Sequence, residues 1–214
     1  MARSCYLVKV AITNQPSRRS DGEQTHAAIL DKAVAMASRE GLAGVSLGRL
    51  AAELGLSKSG VYAHFKSKQR LQAEIIETAR EIFFREVIAP GLAHPEGLAR
   101  LRGLCEAFLN YVRREVFPGG CFFAGMMSEF DAQEGPIHDE VTADQSEWLG
   151  LLRRTASEAM ARGELNAATD PDQLVFELDA ALELANYMFV LFGDPAVLER
   201  AQTSIDSSIE CHLP

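Results

Sequence analysis

A run of small, polar and basic residues near the N-terminus has the chemistry needed to contact a nucleic acid. Lys58, Ser59 and Gly60 supply in turn a cationic donor for guanine or phosphate, a small hydroxyl and a position without a side chain. Two short helices joined by a tight turn at Gly55 would place these residues at the start of the second helix. Because glycine inside a helix costs about 1 kcal/mol relative to alanine, Gly60 indicates close approach of the backbone to a groove. The pattern predicts a helix-turn-helix unit that binds DNA.

Three short helices between residues 25 and 70 would position these groups. Thr25, Ser46 and Ser57 each precede an amphipathic stretch and are the expected N-caps, because a hydroxyl there accepts a bond from a free backbone N–H. Gly41 stands where a left-handed residue would end the first helix. The sequence therefore predicts a three-helix domain over residues 25–70.

Charge is unevenly distributed along the chain. Residues 1–70 hold 11 Lys and Arg against 5 Asp and Glu, whereas residues 71–214 hold 10 against 25. A basic N-terminal part suits contact with phosphates, and an acidic remainder would face away from DNA. Chance clustering of solvated charge is the alternative explanation. Residues 1–24 are expected to form a flexible arm, in which Arg18 and Arg19 either reach DNA or have no role.

The most specific motif is the block from Val61 to Lys68, in which a tyrosine is followed by His-Phe and then by a basic Ser-Lys. With this block, residues 25–70 resemble the DNA-binding domain of the TetR family of bacterial transcriptional regulators. The resemblance implies that Ser46 and Lys68 contact phosphates and that Tyr62 and His64 touch the DNA backbone. The full set of implied DNA-binding residues is Thr25, Ser46, Lys58, Ser59, Gly60, Tyr62, His64 and Lys68.

Two positions depart from the family pattern. Gly48 stands where some members place a base-reading side chain, so that base readout would rest more heavily on the third helix. Ala37 stands where the family often has a core aromatic residue. For Tyr62 and His64, a half-buried packing role and an ordinary surface histidine are the structural alternatives to a DNA contact.

The remainder of the chain is also predicted to be helical. Ala, Leu and Glu dominate, and no stretch alternates Val, Ile and Thr, so an all-α chain of about nine helices is expected. A long fourth helix should stop at Pro90 and a fifth should begin near Pro95. No apolar run reaches the ~18 residues of a membrane span, no export signal is evident and no CxxC pair occurs. These features predict a cytoplasmic protein with reduced thiols.

Two C-terminal helices, over residues 171–192 and 195–211, are predicted to form a homodimer. Members of the TetR family dimerise through their last two helices, and the two DNA-binding domains of a dimer must reach successive turns on one face of the DNA. A helix pair that packs only within one chain is the alternative. The apolar residues expected to form half of a four-helix interface are Leu174, Val175, Leu178, Ala181, Leu182, Ala185, Met188, Val197, Leu198, Ala201 and Ile205.

Aromatic and methionine side chains are concentrated in the C-terminal part, although the chain is only 7% aromatic. Such side chains suit a cavity for an apolar or aromatic compound, with plain core packing as the alternative for each of them. Tyr111, Asn186 and Glu129 are the expected polar anchors. The predicted ligand-binding residues are Phe108, Tyr111, Phe123, Met126, Met127, Phe130, Trp148, Asn186 and Tyr187.

These features predict a transcriptional regulator, in which residues 71–214 form a helical ligand-binding and dimerisation domain. A repressor released from a palindromic operator by a small molecule is the expected function. The sequence contains no HExxH, GxSxG or GxGxxG motif, so we expect neither an enzyme nor a cofactor or metal; His138-Asp139-Glu140 is explained better by a solvated helix start than by a metal site. The alternatives are a redox-responsive regulator using Cys105 and Cys121, and a helical adaptor that binds protein without specific DNA binding.

Overall fold

The computed structural model describes residues 21–214, and every regular element within them is helical. An interrupted fourth helix, α4, consists of Lys68–Phe83, the π-helical turn Phe84–Ile88 and a last turn Ala89–Leu92. The described residues thus contain nine helices and no strand, which confirms the predicted all-α class. The other helices are α1 (Asp21–Glu40), α2 (Leu47–Leu54), α3 (Lys58–Phe65), α5 (Leu98–Arg113), α6 (Phe122–Phe130), α7 (Pro136–Ala161), α8 (Pro171–Phe192) and α9 (Ala196–Glu210).

Helices α1 to α3, here called the head, are held in place by short-range interactions. Ser46 caps α2 by accepting a bond from Arg49 N at 3.3 Å, and Ser57 caps α3 by accepting one from Gly60 N at 3.0 Å. Gly55 closes α2 in the left-handed conformation with φ 65°. These caps confirm the predicted helix-turn-helix. The fully buried core of the head comes from all three helices and the α1–α2 turn and comprises Ile29, Ala33, Leu42, Val45, Leu50, Val61 and Phe65.

The first helix begins earlier than the sequence predicted. It starts at Asp21, and Thr25 lies one turn inside it, where its hydroxyl donates to Asp21 O at 2.9 Å instead of capping the helix. Asp21 and Glu23 lie in the first turn, where negative charge is favourable next to the free N–H groups. Residues 21–24 of the predicted arm are therefore helical. Residues 1–20, with Arg18 and Arg19, lie outside the described part of the chain.

Helix α4 passes through Pro90, which was expected to stop it. Proline has no N–H and its ring crowds the carbonyl four residues earlier. Just before Pro90 the helix widens into the π-turn, where Ala89 N donates to Phe84 O, five residues back. This wider turn accommodates the proline, and the helix continues to Leu92. One continuous rod therefore joins the head to the rest of the chain, and the expected domain boundary at residues 70 and 71 falls inside it.

The body, which comprises the chain from α4 to α9, is built around α5. This helix contributes nine buried residues and packs against α4, α7, α8 and α9. Helices α8 and α9 form an antiparallel pair around the left-handed Gly193, with φ 64°. No helix among residues 21–214 is both long and apolar enough to cross a membrane.

Candidate DNA-binding surface and ligand cavity

The first turn of α3 presents its side chains to solvent. Lys58, Ser59 and Gly60 are all exposed. Ser57 Oγ lies 3.0 Å from Gly60 N and 3.2 Å from Ser59 Oγ, so the cap also orients the serine next to it. A Cβ on Gly60 would lie 3.1 Å from that same Oγ, tighter than ordinary contact. The cap therefore provides a structural reason for a glycine at position 60, in addition to close approach of the backbone to a DNA groove.

The remaining predicted DNA contacts differ in how accessible they are. Tyr62 is 55% exposed, which argues against a packing role. His64 is half-buried, and its ring centroid lies 5.5 Å from that of His26. His26 in turn stacks on Phe65 at 4.7 Å and contacts Glu74. Ser46 is half-buried and already engaged as a cap.

The cations of the head fall into two groups. Arg49 is paired with Glu40, Lys32 with Glu53, and Arg70 with Glu74. Lys58 and Lys66, like Arg39 at the end of α1, are exposed and form no ion pair with any residue of the described chain. Lys66, which follows α3 and has φ 62°, was not among the residues predicted to bind DNA. Its place inside the motif block from Val61 to Lys68 was the available signal.

The α1–α2 turn, Gly41 to Ala43, is bonded from two sides. Lys68 Nζ, at the start of α4, donates to Ala43 O at 2.9 Å. On the other side, Leu42 N and Ala43 N donate to the carboxylate of Glu129 in α6, at 2.7 and 2.8 Å. Glu129, which was predicted as a polar anchor for a ligand, instead uses both of its oxygens to bind the head. The sequence offered no signal for this contact between residues far apart in the chain.

The loop before α6 also contacts α1. Gly119 N donates to Ser38 Oγ at 3.2 Å, and a Cβ on Gly119 would overlap the carbonyl group of Ser38. Only a glycine permits this approach of two backbones. These contacts, together with those of Glu129 to Leu42 and Ala43, form the head–body junction.

The body encloses a cavity of about 450 Å³ between α4, α5, α7 and α8. One wall is aromatic: the ring of Phe83 packs edge-on against Trp148 and Phe123, at centroid distances of 5.6 and 5.5 Å. The π-turn of α4 contributes Phe84 and Ile88, which places the irregular part of that helix directly at the cavity. The full lining is Arg80, Phe83, Phe84, Ile88, Phe108, Cys121, Phe123, Asp144, Gln145, Glu147, Trp148, Leu151, Arg154 and Glu183.

The lining differs from the predicted set. Of the predicted residues, Phe108, Phe123 and Trp148 line the cavity. Six others lie outside its lining, three of them because their polar atoms hold the α6 region in place. Tyr111 Oη accepts from Phe122 N at 3.4 Å, Asn186 Oδ1 accepts from Cys121 N at 2.7 Å, and Tyr187 Oη donates to Ala124 O at 3.0 Å. The other three, Met126, Met127 and Phe130, pack in or against the core.

One side of the cavity carries a cation whose charge is balanced. Arg80 Nε lies 2.8 Å from Asp144, and its Nη2 lies 3.1 Å from Glu140. Burial raises the pKa of Asp144, and the hydrogen bond and charge of Arg80 act against that rise. Neither acidic residue was predicted as part of a site. The cation on α4 is therefore paired with two carboxylates of α7.

The opposite side carries a carboxylate that lacks a counter-charge. Glu183 Oε2 is buried and has no hydrogen-bond partner among residues 21–214. Burial, together with the nearby charge of Asp179, raises the pKa of Glu183 to about 8. Asp179 differs, because it accepts bonds from Trp148 Nε1 at 2.8 Å and from Gln145 at 3.1 Å. Glu183 is the single charged residue between positions 180 and 192, the apolar second half of α8, and this was the signal that could have revealed it.

The cysteines considered for redox chemistry are buried. Burial raises the pKa of both Cys105 and Cys121 to about 12, so neither thiol is activated as a thiolate. Residues 21–214 contain no group of three or more His, Cys, Asp or Glu side chains suited to a metal ion. His138 lies beside Asp139 on the exposed start of α7.

The outer face of α8 is apolar and unpacked within the chain. Its most exposed large side chains, here called the α8 face, are Phe176, Leu184, Tyr187, Val190, Leu191 and Phe192. The residues predicted for a dimer interface on this helix lie mostly on its other face: Leu174, Leu178 and Leu182 are fully buried in the chain's own core. The same holds on α9 for Val197, Leu198, Ala201 and Ile205. The predicted helices are correct, but the side chains available to a second copy are different ones.

Comparison with known proteins gives a consistent result. Residues 29–75 match the family model of bacterial regulatory proteins of the tetR family, and residues 97–205 match that of the tetracyclin repressor-like C-terminal domain. The HTH-type transcriptional repressor SCO4008 of Streptomyces coelicolor is 40% identical over 172 residues, which cover 80% of this chain and 81% of that protein. The nucleoid occlusion factor SlmA of Colwellia psychrerythraea is 29% identical over 51% of this chain, a match that spans only 56% of SlmA.

Solved structures share the same fold. A TetR transcriptional regulator from Chloroflexus aurantiacus has a TM-score of 0.81 and 26% identity, over 89% of this chain and 96% of that one. AibR, solved with isovaleryl coenzyme A and operator DNA, has a TM-score of 0.66 and 19% identity, over 88% and 98% of the two chains.

A helix-turn-helix head joined by a long helix to a hollow helical body defines a DNA-binding transcriptional regulator. The two family models and the relative at 40% identity make the family specific. The chain belongs to the TetR family of bacterial transcriptional regulators.

Proposed function

We propose that this protein is a homodimeric repressor that binds an inverted-repeat operator and leaves it when a small molecule fills the cavity. The observation that carries the proposal is the path between the two sites. Helix α4 begins beside the head at Lys68 and lines the cavity with Arg80, Phe83 and its π-turn. A ligand that displaces this part of α4 would move the head.

The DNA-binding domain of the proposal comprises residues 25–70. Lys58, Ser59 and Gly60 read base edges in the major groove, because they occupy the first turn of the exposed recognition helix. Tyr62 and His64 contact the sugar-phosphate backbone. Substitution of Lys58 should therefore change sequence preference, whereas substitution of Tyr62 should weaken binding to all sequences alike.

Three further residues predicted to contact DNA already form a hydrogen bond within the chain. Ser46 keeps its cap and binds phosphate through its remaining hydroxyl capacity. The ammonium of Lys68 has three N–H donors and uses one of them in the hydrogen bond to Ala43 O. The other two remain available for a phosphate at the start of α4. Thr25 reaches DNA only if its hydroxyl leaves Asp21 O, so its contribution is the weakest of the set.

Dimerisation in the proposal uses the α8 face together with α9, within residues 171–192 and 195–211. Isolated exposed apolar residues are ordinary, but six large ones on one helix mark an interaction surface. Pairing by a two-fold axis would bury this surface and place two heads on one side of the duplex.

Release by a ligand uses residues 71–214 as the sensing domain. AibR, which has the same fold, was solved with both a small molecule and operator DNA. This supports the proposal that the present protein also binds a small molecule in its cavity and an operator through its head. The head–body junction gives a second route, since Glu129 in α6 bonds the α1–α2 turn directly. Movement of α6 by a ligand against Phe123 would pull on the head.

The same proposal treats the protein as a non-enzyme that acts in the cytoplasm, where bacterial DNA lies. An adaptor that binds protein alone would have no use for the unpaired Lys58 and Lys66 on the exposed face of the head. Redox sensing is disfavoured by the raised pKa of Cys105 and Cys121.

Selection of sheared genomic DNA on the purified protein at physiological salt, followed by sequencing, tests the proposal. We expect enrichment of a few sites that share an inverted repeat, with half-sites about one helical turn (~10 base pairs) apart or a multiple of it. Enrichment that disappears with modest added salt, or no enrichment, would contradict specific binding. The Lys58→Ala protein serves as a matched control, because it should retain its fold and lose the enrichment.

A further inference from the structure

The cavity carries a second kind of information, which concerns the charge of its ligand. Of its ionisable groups, Arg80 is compensated by Asp144 and Glu140, and Arg154 is exposed on α7. Glu183 also lines the cavity, and its Oε2 is buried without a hydrogen-bond partner among residues 21–214. A buried polar atom without a partner costs free energy, so its presence marks a place where a partner from outside would be favourable.

The chemistry around Glu183 selects the charge of that partner. The charged residues of the lining are two arginines and three carboxylates, and one further carboxylate, Glu140, also faces Arg80. An anionic ligand would meet Glu183 and would compete with carboxylates already seated on Arg80. A cation would meet a carboxylate whose oxygen is unoccupied.

The aromatic wall favours the same charge. Phe83, Phe108 and Trp148 form a cluster in which Phe108 stacks on Trp148 at 6.1 Å and Phe83 packs edge-on against both. Aromatic faces attract cations through their quadrupole and also accept flat apolar groups. Walls of this kind beside a carboxylate suit a molecule that combines an aromatic or alkyl body with an ammonium.

We propose that the cavity binds an amphipathic organic cation, whose ammonium group pairs with Glu183 and whose apolar body packs against Phe83, Phe108 and Trp148. The proposal rests on the proposed function only in that this ligand would be the molecule that releases the operator. In the unliganded protein, burial favours the protonated carboxyl of Glu183, and its pKa of about 8 reflects this. The ammonium replaces that proton as the positive charge facing the carboxylate.

Three probes with the same body and different charges test this inference. They are para-butylbenzyl-trimethylammonium, para-butylbenzyl alcohol and para-butylbenzoate, each titrated into the full chain at about pH 8 without DNA. Trp148 is the single tryptophan of the protein and lines the cavity, so its fluorescence reports occupancy while calorimetry gives Kd. We expect the ammonium to bind about tenfold more tightly than either other probe and to change the fluorescence.

Two variants assign the effect to one carboxylate. Glu183→Gln keeps the shape of the side chain and should weaken binding of the ammonium about tenfold, with little effect on the alcohol. Glu134→Gln removes the same charge from an exposed residue outside the lining and should leave the preference in place. Melting curves of the same samples should show that both variants are folded.

Several results would overturn the inference. These are tighter or equal binding of the alcohol or the benzoate, an unchanged ammonium Kd in Glu183→Gln, binding without a response of Trp148, and no measurable binding of any probe. Operator enrichment in genomic DNA with no preference for the ammonium would contradict the proposed class of ligand and leave the proposed function as a DNA-binding regulator standing. A preference for the ammonium without enrichment of any DNA would support the proposed class of ligand and contradict the proposed function as a DNA-binding regulator.

Discussion

The head and the body use their polar side chains in opposite ways. In the head, the groups proposed to bind DNA lie at the surface and are oriented by neighbours in sequence, as Ser57 orients Ser59 and Gly60. In the body, Arg80 and Asp144 of the cavity are largely withdrawn from water, and each depends on the other as a partner from a different helix. A substitution at the surface of the head should therefore change DNA binding without changing the free energy of unfolding. A substitution at the cavity of the body should change both ligand binding and the free energy of unfolding, because only buried groups carry a large cost of desolvation.

The largest effect is expected where the body itself has an exposed site, on the α8 face. Leu184 and Leu191 are 59% and 74% exposed in the single chain. Replacing both by Asp would bury two charges in a dimer interface without disturbing the protomer, so dimers should dissociate and operator affinity should fall on the order of 100-fold or more. Analytical ultracentrifugation and titration of operator DNA measure the two effects.

Thr142→Asp with Ser157→Asp adds the same charge to exposed positions of α7 and is the control for this change. Its dimers should persist. If the double variant on the α8 face also remains dimeric and binds operator as before, the interface lies elsewhere.

The next effect concerns separability in the head. Lys58→Ala should weaken operator binding about 10- to 100-fold, because one base-edge contact is worth about 1–3 kcal/mol. The free energy of unfolding should stay within about 0.5 kcal/mol, since Lys58 is exposed and forms no ion pair within the described chain. Fluorescence anisotropy with labelled operator and urea unfolding measure the two quantities.

Arg153→Ala removes one exposed positive charge from α7 and should change neither quantity appreciably. A Lys58→Ala protein that unfolds easily would show that DNA binding and stability are coupled in the head as well as in the body.

Coupling in the body predicts a pH-dependent gain of stability in Glu183→Gln. In the folded chain Glu183 keeps its proton up to a pKa of about 8, whereas an unfolded chain releases it near the ordinary value of 4.5. Its contribution to stability is therefore present below 4.5 and is lost as the pH rises toward 8. Glutamine carries no such loss, so the variant should exceed the parent protein by about 2 kcal/mol at pH 8 and by less at pH 5.

Urea unfolding of Glu183→Gln, Glu147→Gln and the parent protein at both pH values measures this difference. Glu147→Gln, at an exposed position of α7, is the matched control. A Glu183→Gln protein that is less stable at pH 8 than at pH 5, relative to the parent, would show that the carboxylate is favourably bonded in the folded state.

The smallest effect is expected at the head–body junction, where the two regions meet. Glu129→Gln replaces one acceptor oxygen with an amide that cannot accept from Leu42 N or Ala43 N, and should cost about 1 kcal/mol. Amide hydrogen exchange at residues 42 and 43 should accelerate, while that of the α5 core stays slow. Glu134→Gln, at an exposed position after α6, is the control, and equal exchange in both variants would mean that the junction does not hold the turn.

The sequence predicted the head with little error because its structure depends on neighbouring residues. Caps at Ser46 and Ser57 and the left-handed Gly55 lie within a few residues of the helices that they bound. The error at Thr25 was also local: two acidic residues extended α1 by one turn. The predicted end of α4 at Pro90 was wrong, because the sequence does not show that a π-turn widens the helix just before the proline.

The body was predicted only as far as local pattern reaches. The boundaries of α8 are residue for residue those expected from Pro171 and Gly193, yet periodicity could not tell which apolar face of this wide stripe packs inside the chain. Of the predicted ligand-binding residues, Phe108, Phe123 and Trp148 line the cavity.

The sequence by itself therefore determined the helices, the recognition turn of α3 and the family, since each depends on residue types at short spacing. Tertiary structure alone decided the pairing of Arg80 with Asp144, the bonds of Glu129 to the α1–α2 turn and the isolation of Glu183. Each of these depends on which side chains, distant along the chain, are buried together. Burial sets the cost of an unpaired charge, and no spacing along the chain encodes it.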